Sequence, residues 1–234
     1  MTDDDRPVLL FDLDGTVLDS APGIIAAQRA AMVDVGLEPA AESVLRSDLG
    51  PPPSVLLARV GVPAERIDEA VTAYRRHYHD EGISNASVYP GIRELLVDLQ
   101  PRFRLATATM KLISTAVPFL DHHRLRDHFE VVGGAERSGE GDKSAIIRAT
   151  RLALGDPDPR RMIMIGDRHS DITGGRAQGM RTVAVTWGYG SRRELEDSGP
   201  DVIIDHPGQL TATLPDLLKV LPNVDLIERP TGNC

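Results

Sequence analysis

One apolar run that ends in two aspartates constrains this chain more than any other stretch. Residues Val8–Phe11 are all apolar, and the sequence Asp-Leu-Asp-Gly-Thr follows at 12–16. The run predicts a buried strand, and in an ideal strand residues two apart share a face. At the carboxyl end of a buried parallel strand, Asp12 and Asp14 would converge on one crevice, where open α/β sheets bind ligands. Two close carboxylates repel each other unless positive charge separates them, so we expect a metal ion there.

Composition excludes several classes of function. The chain has 234 residues, of which 41% are hydrophobic and only 4% aromatic, so we expect a folded protein with an aliphatic core. A net charge of −9 argues against a nucleic-acid partner. No apolar run reaches the roughly 18 residues of a membrane span, and the acidic residues 1–6 lack the features of a signal peptide. The lone cysteine, Cys234, cannot form an internal disulfide. These features predict a cytoplasmic protein, monomeric or homodimeric, without a membrane partner.

Hydrophobic patterning divides the chain into a sheet region and a helical insert. After residue 88, predicted strands alternate with helices, whereas residues 20–88 contain only helical spacing; Ser20 is the predicted cap of the first helix and Pro22 lies in its first turn. This alternation is typical of an α/β fold with a doubly wound parallel sheet. We therefore predict a core formed by 1–19 and 89–220, a helical domain at 20–88, and a loose tail at 221–234. The predicted strands after the insert are Phe103–Ala108, Phe129–Val132, Met162–Ile165, Thr182–Val185 and Asp201–Ile204.

Four groups of polar residues are predicted near the carboxyl ends of these strands, and together they suit phosphoryl transfer. Aspartates are the hard oxygen ligands that Mg²⁺ prefers, while a lysine and a threonine can hold phosphoryl oxygens. An aspartate beside a metal and a lysine can act as a nucleophile, and a second carboxylate can protonate the leaving group and activate water. The groups are Asp12 with Asp14, Thr109-Met110-Lys111, Lys143, and Asp167 with Asp171.

In their order and spacing, these groups resemble the four motifs of the haloacid dehalogenase (HAD) superfamily of phosphohydrolases, over residues 8–205. The resemblance implies a Rossmann-like doubly wound core with a mobile α-helical cap domain inserted after the first strand, which matches residues 20–88. It further implies that Asp12 is the nucleophile and that Asp14 is the general acid and base. Mg²⁺ would be held by Asp12, the backbone carbonyl of Asp14 and Asp167, with Asp171 in support, while Thr109 and Lys143 would complete the catalytic set.

Closer features are similar to the phosphoglycolate phosphatase-like branch of that superfamily. They are Val88–Gly91, Thr109 with Lys111, and the loop Trp187–Gly190. Members of the branch act on several small phosphate esters, so the branch does not define the substrate. Two departures concern substrate binding: Met110 stands where a small or amide residue is usual, and the cap loop that begins at Gly50 carries no charge. The predicted substrate-binding residues are Gly15, Gly50, Thr109, Met110, Lys111 and Lys143.

The leading hypothesis is a Mg²⁺-dependent phosphatase that hydrolyses a small phosphorylated metabolite through an aspartyl-phosphate. The same motifs fit a phosphotransferase, either a mutase or a protein-tyrosine kinase-like enzyme, and a non-catalytic binding protein could retain the fold. A P-loop at 139–144 is rejected because Asp142 occupies the position where that motif needs glycine. His169 is predicted to be exposed to solvent, and Trp187 and Tyr189 to form a packed loop.

Overall fold

The structure is a computed structural model that describes residues 5–47, 49–136 and 142–219. Its strands and helices alternate along most of the chain. The strands are β1 (Val8–Phe11), β2 (Leu18–Asp19), β3 (Ser87–Val88), β4 (Arg104–Leu112), β5 (Val131–Ala135), β6 (Met162–Gly166), β7 (Arg181–Val185) and β8 (Val202–Ile204). The helices are α1 (Ala21–Asp34), α2 (Glu42–Ser47), α3 (Pro53–Arg59), α4 (Ile67–Glu81), α5 (Ile92–Leu99), α6 (Ile113–His122), α7 (Lys143–Ala153), α8 (His169–Ala177), α9 (Arg192–Ser198) and α10 (Gly208–Leu218).

A six-stranded sheet with every neighbouring pair parallel forms the centre of the molecule. Its order is β5-β4-β1-β6-β7-β8. The chain starts in the middle at β1, builds outwards through β4 and β5, and then returns to build the other half through β6, β7 and β8. The order therefore reverses beside β1, and such a switch point opens a crevice at the carboxyl ends of the strands. This confirms the predicted α/β fold with a Rossmann-like doubly wound core.

Alternate residues of β1 supply two separate apolar clusters. Leu9 and Phe11 belong to the larger cluster, which includes the buried faces of α5, α6 and α10. Val8 and Leu10 point the other way and pack with residues of α7. All four side chains are buried, because a strand inside a sheet that is covered on both faces exposes neither set. This placement leaves only the carboxyl end of β1 open for polar chemistry.

Helices α1 to α4 form one unit, the helical insert, between two very short strands. Long helices α1 and α4 pack against each other, α3 packs on α4, and α2 packs on α1. Strands β2 and β3 pair antiparallel through Leu18 with Val88 and Asp19 with Ser87, so the two connections to the insert lie side by side. The sequence did not predict this pair, since two residues are too short to show an alternating pattern.

Several predicted elements differ in their bounds. Strand β4 continues through Lys111 to Leu112, with a register shift against β5 after Thr109, so the Thr109–Lys111 group lies inside the strand's end instead of beyond it. The hydrophobic pattern predicts a helix from Asp171 to Gln178, whereas helix α8 begins at His169, and α9 lies where the pattern predicts no helix. The predicted tail 221–234 lies outside the described residues. No helix of the described chain is long and apolar enough to cross a membrane.

Candidate active site

The carboxyl ends of β1, β4 and β6 meet at the switch point and position most of the predicted site. Asp12 follows β1 directly, and its backbone N–H continues the sheet ladder by donating to the Ile165 carbonyl at 2.9 Å. Asp167 follows β6 in the same way, and Thr109 lies near the end of β4. Neighbouring parallel strands therefore bring together residues that are about 100 to 150 positions apart in the chain.

Three buried carboxylates form an acidic cluster at this edge of the sheet. Asp12, Asp167 and Asp171 each offer an oxygen, and these oxygens lie within 4.8 Å of one another. Asp171 reaches the cluster from the first turn of α8, where its carboxylate also accepts from the Arg168 backbone N–H at 3.0 Å. Hard oxygen donors in this arrangement are able to hold a divalent cation. The Asp14 carboxylate, by contrast, turns away from the cluster.

One buried ammonium group lies against the acidic cluster. Lys143 Nζ is 2.8 Å from Asp12 Oδ1 and 2.7 Å from Asp171 Oδ1, and its side chain is only 3% exposed. The lysine is the first residue of α7, whose start is capped by the Asp142 carboxylate accepting from the Ala145 N–H at 2.8 Å. Burial disfavours the charged lysine, but the two carboxylates outweigh this effect and raise its pKa.

Crowding of negative charge perturbs the acids as well. Burial raises the pKa of Asp12 from its ordinary 3.8 to about 6, with Lys143 opposing the shift and Asp171 adding to it. Burial, followed by the charges of Asp171 and Asp12, raises the pKa of Asp167 well above its usual range. Three buried carboxylates facing one ammonium leave uncompensated negative charge, so the cluster favours an added cation or a proton.

The Asp167 carboxylate is closely surrounded by the loop after β1 and by the 187–190 loop. Gly15 has a φ of +87°, and a Cβ at that position would lie 2.2 Å from Asp167 Oδ2. The carboxylate also accepts from Thr16 Oγ1 at 3.2 Å and from the Tyr189 backbone N–H at 2.7 Å. Trp187 donates from its indole N–H to the Thr16 carbonyl at 3.0 Å, which ties the 187–190 loop to the motif after β1, as the predicted packed loop requires.

Asp14 belongs to a second network that joins the core to the helical insert. Its two oxygens accept from Lys111 Nζ at 2.7 and 2.9 Å, and Oδ1 also accepts from Ser20 Oγ. The same ammonium donates to the Tyr78 hydroxyl, on α4 of the insert, at 2.7 Å. It also lies 4.2 Å from the centroid of the Phe119 ring, which stacks on Tyr78 with centroids 5.4 Å apart. Lys111 is thus held by groups from both parts of the molecule.

Most predicted site residues line a single cavity of about 680 Å³ between the core and the helical insert. Thr109 is buried there and its Oγ1 accepts from the Lys111 backbone N–H at 3.2 Å. Gly50 reaches the cavity from the insert with a φ of +121°, and a Cβ there would meet the Arg168 guanidinium at 2.6 Å. Gly15, Asp167 and Asp171 lie behind the lining. The predicted residues that do line the cavity are Asp12, Asp14, Gly50, Thr109, Met110, Lys111 and Lys143.

The sequence alone missed several members of the site. Ser20 was predicted to cap α1, but its side chain makes no capping bond and donates to Asp14 instead; Pro22 does lie in the first turn. Tyr78 was not singled out, although it is a buried aromatic on α4. Arg168 lines the cavity while its Nε donates to Glu194 at 2.9 Å. His169 is largely exposed, as predicted, and also contacts Glu194.

The fold, and an acidic cluster beside a buried lysine, suit an enzyme that acts on phosphate groups, and comparison with known proteins identifies the family. Residues 9–185 match the sequence profile of the haloacid dehalogenase-like hydrolase family, so the chain belongs to this family, as the sequence motifs predicted. The chain is 38% identical over 216 residues to the tyrosine-protein kinase PtkA of Mycobacterium tuberculosis, covering 92% of this chain and 72% of that protein. It is 30% identical over 221 residues to the phosphoglycolate phosphatase of Aliivibrio fischeri, covering 90% and 97%.

Solved structures agree with this assignment. A haloacid dehalogenase-like family hydrolase from Streptococcus pneumoniae superposes with a TM-score of 0.84 at 30% identity, covering 89% of this chain and 98% of that one. The family and its phosphatase relatives confirm that the chain is an enzyme, a phosphatase of the haloacid dehalogenase-like hydrolases.

Proposed function

We propose that this phosphatase is Mg²⁺-dependent and hydrolyses a phosphate monoester through an aspartyl-phosphate on Asp12. One observation carries the proposal: the buried Asp12 lines the cavity, lies 2.8 Å from the Lys143 ammonium group, and has oxygens of two further carboxylates within 4.8 Å. An acid in that position can approach a bound phosphorus atom, and the ammonium group can help to neutralise the transferring phosphoryl group. We further propose that the substrate is a small phosphorylated metabolite of the cytoplasm.

The donor set fits a magnesium ion. Three buried carboxylates against one lysine leave a site that needs positive charge, and burial with charge repulsion raises the pKa of Asp167 in the absence of a cation. We assign the carboxylates of Asp12 and Asp167 and the backbone carbonyl of Asp14 as the groups that would hold the ion. Asp171 would support them by adding negative charge to the cluster and by holding Lys143 in place. When bound, Mg²⁺ supplies positive charge that stabilises the transferring phosphoryl group.

The chain's own residues then divide the reaction into two balanced steps. An Asp12 carboxylate oxygen forms a bond to phosphorus as the ester P–O bond breaks, and Asp14 gives a proton to the departing alcohol oxygen. In the second step, Asp14 accepts a proton from water as the water oxygen bonds to phosphorus. The bond from Asp12 to phosphorus then breaks, which releases inorganic phosphate and restores both carboxyl groups. Lys143 and the Thr109 hydroxyl hold the phosphoryl oxygens throughout.

We also propose that the helical insert, residues 20–88, acts as a cap domain over the core formed by 1–19 and 89–220. The contact between Tyr78 and Lys111 and the approach of Gly50 to Arg168 both cross this boundary at the cavity. Closure of the cap would exclude bulk water from the nucleophile and complete the substrate site. We assign substrate binding to the lining residues Gly50, Thr109, Met110, Lys111 and Lys143, and to Gly15, which lies next to Asp167 outside the lining.

A direct test replaces the nucleophile without changing its size. Asp12→Asn should abolish turnover of p-nitrophenyl phosphate in Mg²⁺, because an amide does not attack phosphorus. Asp216→Asn is the matched control, since this carboxylate lies on α10 with its side chain 79% exposed. Acid quenching during turnover should also trap the aspartyl-phosphate of the wild-type enzyme, which mass spectrometry detects as a chain heavier by one phosphoryl group. Full activity of Asp12→Asn would contradict the mechanism.

A second candidate is phosphotransfer to a protein tyrosine. It is favoured by the 38% identity to a protein that is named a tyrosine-protein kinase. Both functions would use Asp12 as the nucleophile and differ in the group that then accepts the phosphoryl group. The acceptor is water for a phosphatase and a tyrosine phenol oxygen for the alternative. Incubation with a labelled phosphate donor and a tyrosine-containing polypeptide separates them. Label in free phosphate supports hydrolysis, and label on the polypeptide supports transfer.

A further inference from the structure

Most of the cavity wall is apolar, and its apolar side chains come from both the helical insert and the core. Arg75, His79, Ser114 and Thr115 add polar groups to the lining away from Asp12 and Lys143. The insert also contributes three consecutive prolines, Pro51 to Pro53, whose rings face the same space. Apolar residues of the lining include Ile24, Leu56, Ile83, Leu112 and Pro118, with the fully buried Phe119 behind them.

Three cations of the lining are already engaged by carboxylates of the protein. Lys143 faces Asp12 and Asp171, Lys111 binds both oxygens of Asp14, and Arg168 donates to Glu194. The other basic residues of the lining are exposed to solvent: Arg75 and His79 on α4, and His169, which contacts Glu194. A second anionic group buried near Lys143, Lys111 or Arg168 would therefore meet cations that already have carboxylate partners, and its loss of hydration would be poorly compensated.

The cavity is also larger than a two-carbon acid requires. Its volume of about 680 Å³ lies within the roughly 300–1,000 Å³ of pockets that enclose drug-sized ligands. A leaving group of two carbons would leave most of the apolar wall in contact with water. An extended apolar group would cover that wall, and each methylene removed from water favours binding.

We propose that this enzyme prefers phosphate monoesters whose leaving alcohol carries an extended apolar body, alkyl or aromatic, and no second charge. The inference rests on the proposed function, since it requires the phosphoryl group to bind at Asp12. The apolar body then lies between α3 of the helical insert and the α6 side of the core, against Leu56 and Pro118. The bond changes remain those of hydrolysis, in which ester and water give alcohol and inorganic phosphate.

A series of primary-alcohol phosphates tests this preference at nearly constant leaving-group reactivity. Ethyl, butyl, hexyl and 2-phenylethyl phosphate are compared with 2-phosphoglycolate, using the wild-type enzyme in Mg²⁺. We expect kcat/KM to rise by up to about fourfold for each added methylene that leaves water. Hexyl and 2-phenylethyl phosphate should exceed ethyl phosphate at least tenfold, and 2-phosphoglycolate should be a worse substrate than either.

A pocket-filling variant shows whether the apolar wall causes the preference. Leu56 on α3 is 4% exposed and lines the cavity, whereas its neighbour Val55 is 38% exposed and lies outside the lining. Leu56→Phe should lower the hexyl-to-ethyl ratio of kcat/KM at least threefold, while Val55→Phe should leave the ratio unchanged. Ile83→Phe is a second filling variant from another part of the wall, and thermal unfolding shows that each variant is folded.

The possible failures are distinguishable. A flat series, or a preference for 2-phosphoglycolate, in an enzyme that turns over p-nitrophenyl phosphate overturns the apolar class and leaves the phosphatase proposal intact. An unchanged ratio in both folded filling variants also overturns it, because the preference then arises elsewhere. If the wild-type chain hydrolyses none of these esters, the proposed function itself is wrong and this inference falls with it.

Discussion

The buried acidic cluster makes a quantitative prediction about metal removal. Burial raises the pKa of Asp12 to about 6 from 3.8, so the folded, metal-free protein holds this proton more tightly than the unfolded chain does. Folding stability from this group is therefore fully present below pH 3.8 and is lost as pH rises through about 6. A shift of about two units corresponds to roughly 3 kcal/mol. The raised pKa of Asp167 acts in the same direction.

Adding Mg²⁺ at pH 7.5 should restore at least the roughly 3 kcal/mol of folding stability that is lost when Asp12 is deprotonated. The cation binds only the folded cluster, so it stabilises by mass action, and it competes with the protons that the acids would otherwise hold. A change of about 3 kcal/mol corresponds to a Tm increase of roughly 6–12 °C for a chain of this size. At pH 5, Asp12 is largely protonated in the metal-free protein, and the raised pKa of Asp167 acts in the same direction, so the increase on adding Mg²⁺ should be much smaller.

Thermal unfolding followed by circular dichroism, in EDTA and then in excess Mg²⁺, measures both effects. Asp167→Asn removes one buried charge, so this variant should be more stable than wild type in EDTA at pH 7.5 and should lose most of the response to Mg²⁺. The exposed control Asp216→Asn should behave as wild type. The reasoning is refuted if Mg²⁺ leaves Tm unchanged at pH 7.5, or raises it equally at pH 5. It is also refuted if Asp167→Asn destabilises the protein in EDTA.

Two further predictions concern the boundary between core and helical insert. Tyr78→Phe removes the hydroxyl that accepts from Lys111 and keeps the stacked ring, so kcat/KM should fall about tenfold, as expected for loss of a hydrogen bond to a charged group. Tyr74→Phe, one turn earlier on α4, is the matched control; equal losses in steady-state kinetics would contradict a specific role for the Tyr78 hydroxyl. Gly50→Ala should lower both stability and kcat/KM, because the new methyl group is strained by positive φ and also meets a core guanidinium. Gly61→Ala, also at positive φ but with no atom near the added methyl, should cost about 1–2 kcal/mol of unfolding free energy in urea titration and no activity.

Much of the core was predictable because its signals are local. The apolar run before Asp12 and the later run Met162–Ile165 are both short and are followed by turn residues. This pattern is typical of a strand that is buried on both faces, as both are. Once both runs are parallel neighbours, the acids that follow them must approach each other at one edge. The proximity of Asp12 and Asp167 therefore follows from the order of motifs and the doubly wound topology.

Other parts of the site depend on contacts that no local pattern encodes. Ser20 has the sequence context of a helix cap, yet its hydroxyl is taken by Asp14 because that acceptor is charged and near. The end of β4 was predicted to be a loop, but pairing with β5 extends the strand through Lys111 and aims this lysine towards Asp14. Each outcome is decided by a partner from elsewhere in the chain.

The sequence by itself determined the sheet, its helical insert and the set of acids that defines the family, because strand burial and motif spacing are properties of short segments. Only the tertiary structure decided how the two parts meet: that Tyr78 from α4 accepts from Lys111, and that apolar side chains of both parts form one cavity beyond Asp12. The physical reason is that side-chain hydrogen bonds and cavity walls depend on distances across the fold. These distances are set only when the strands take their order in the sheet and the helices pack against them, so a sequence pattern alone does not show them.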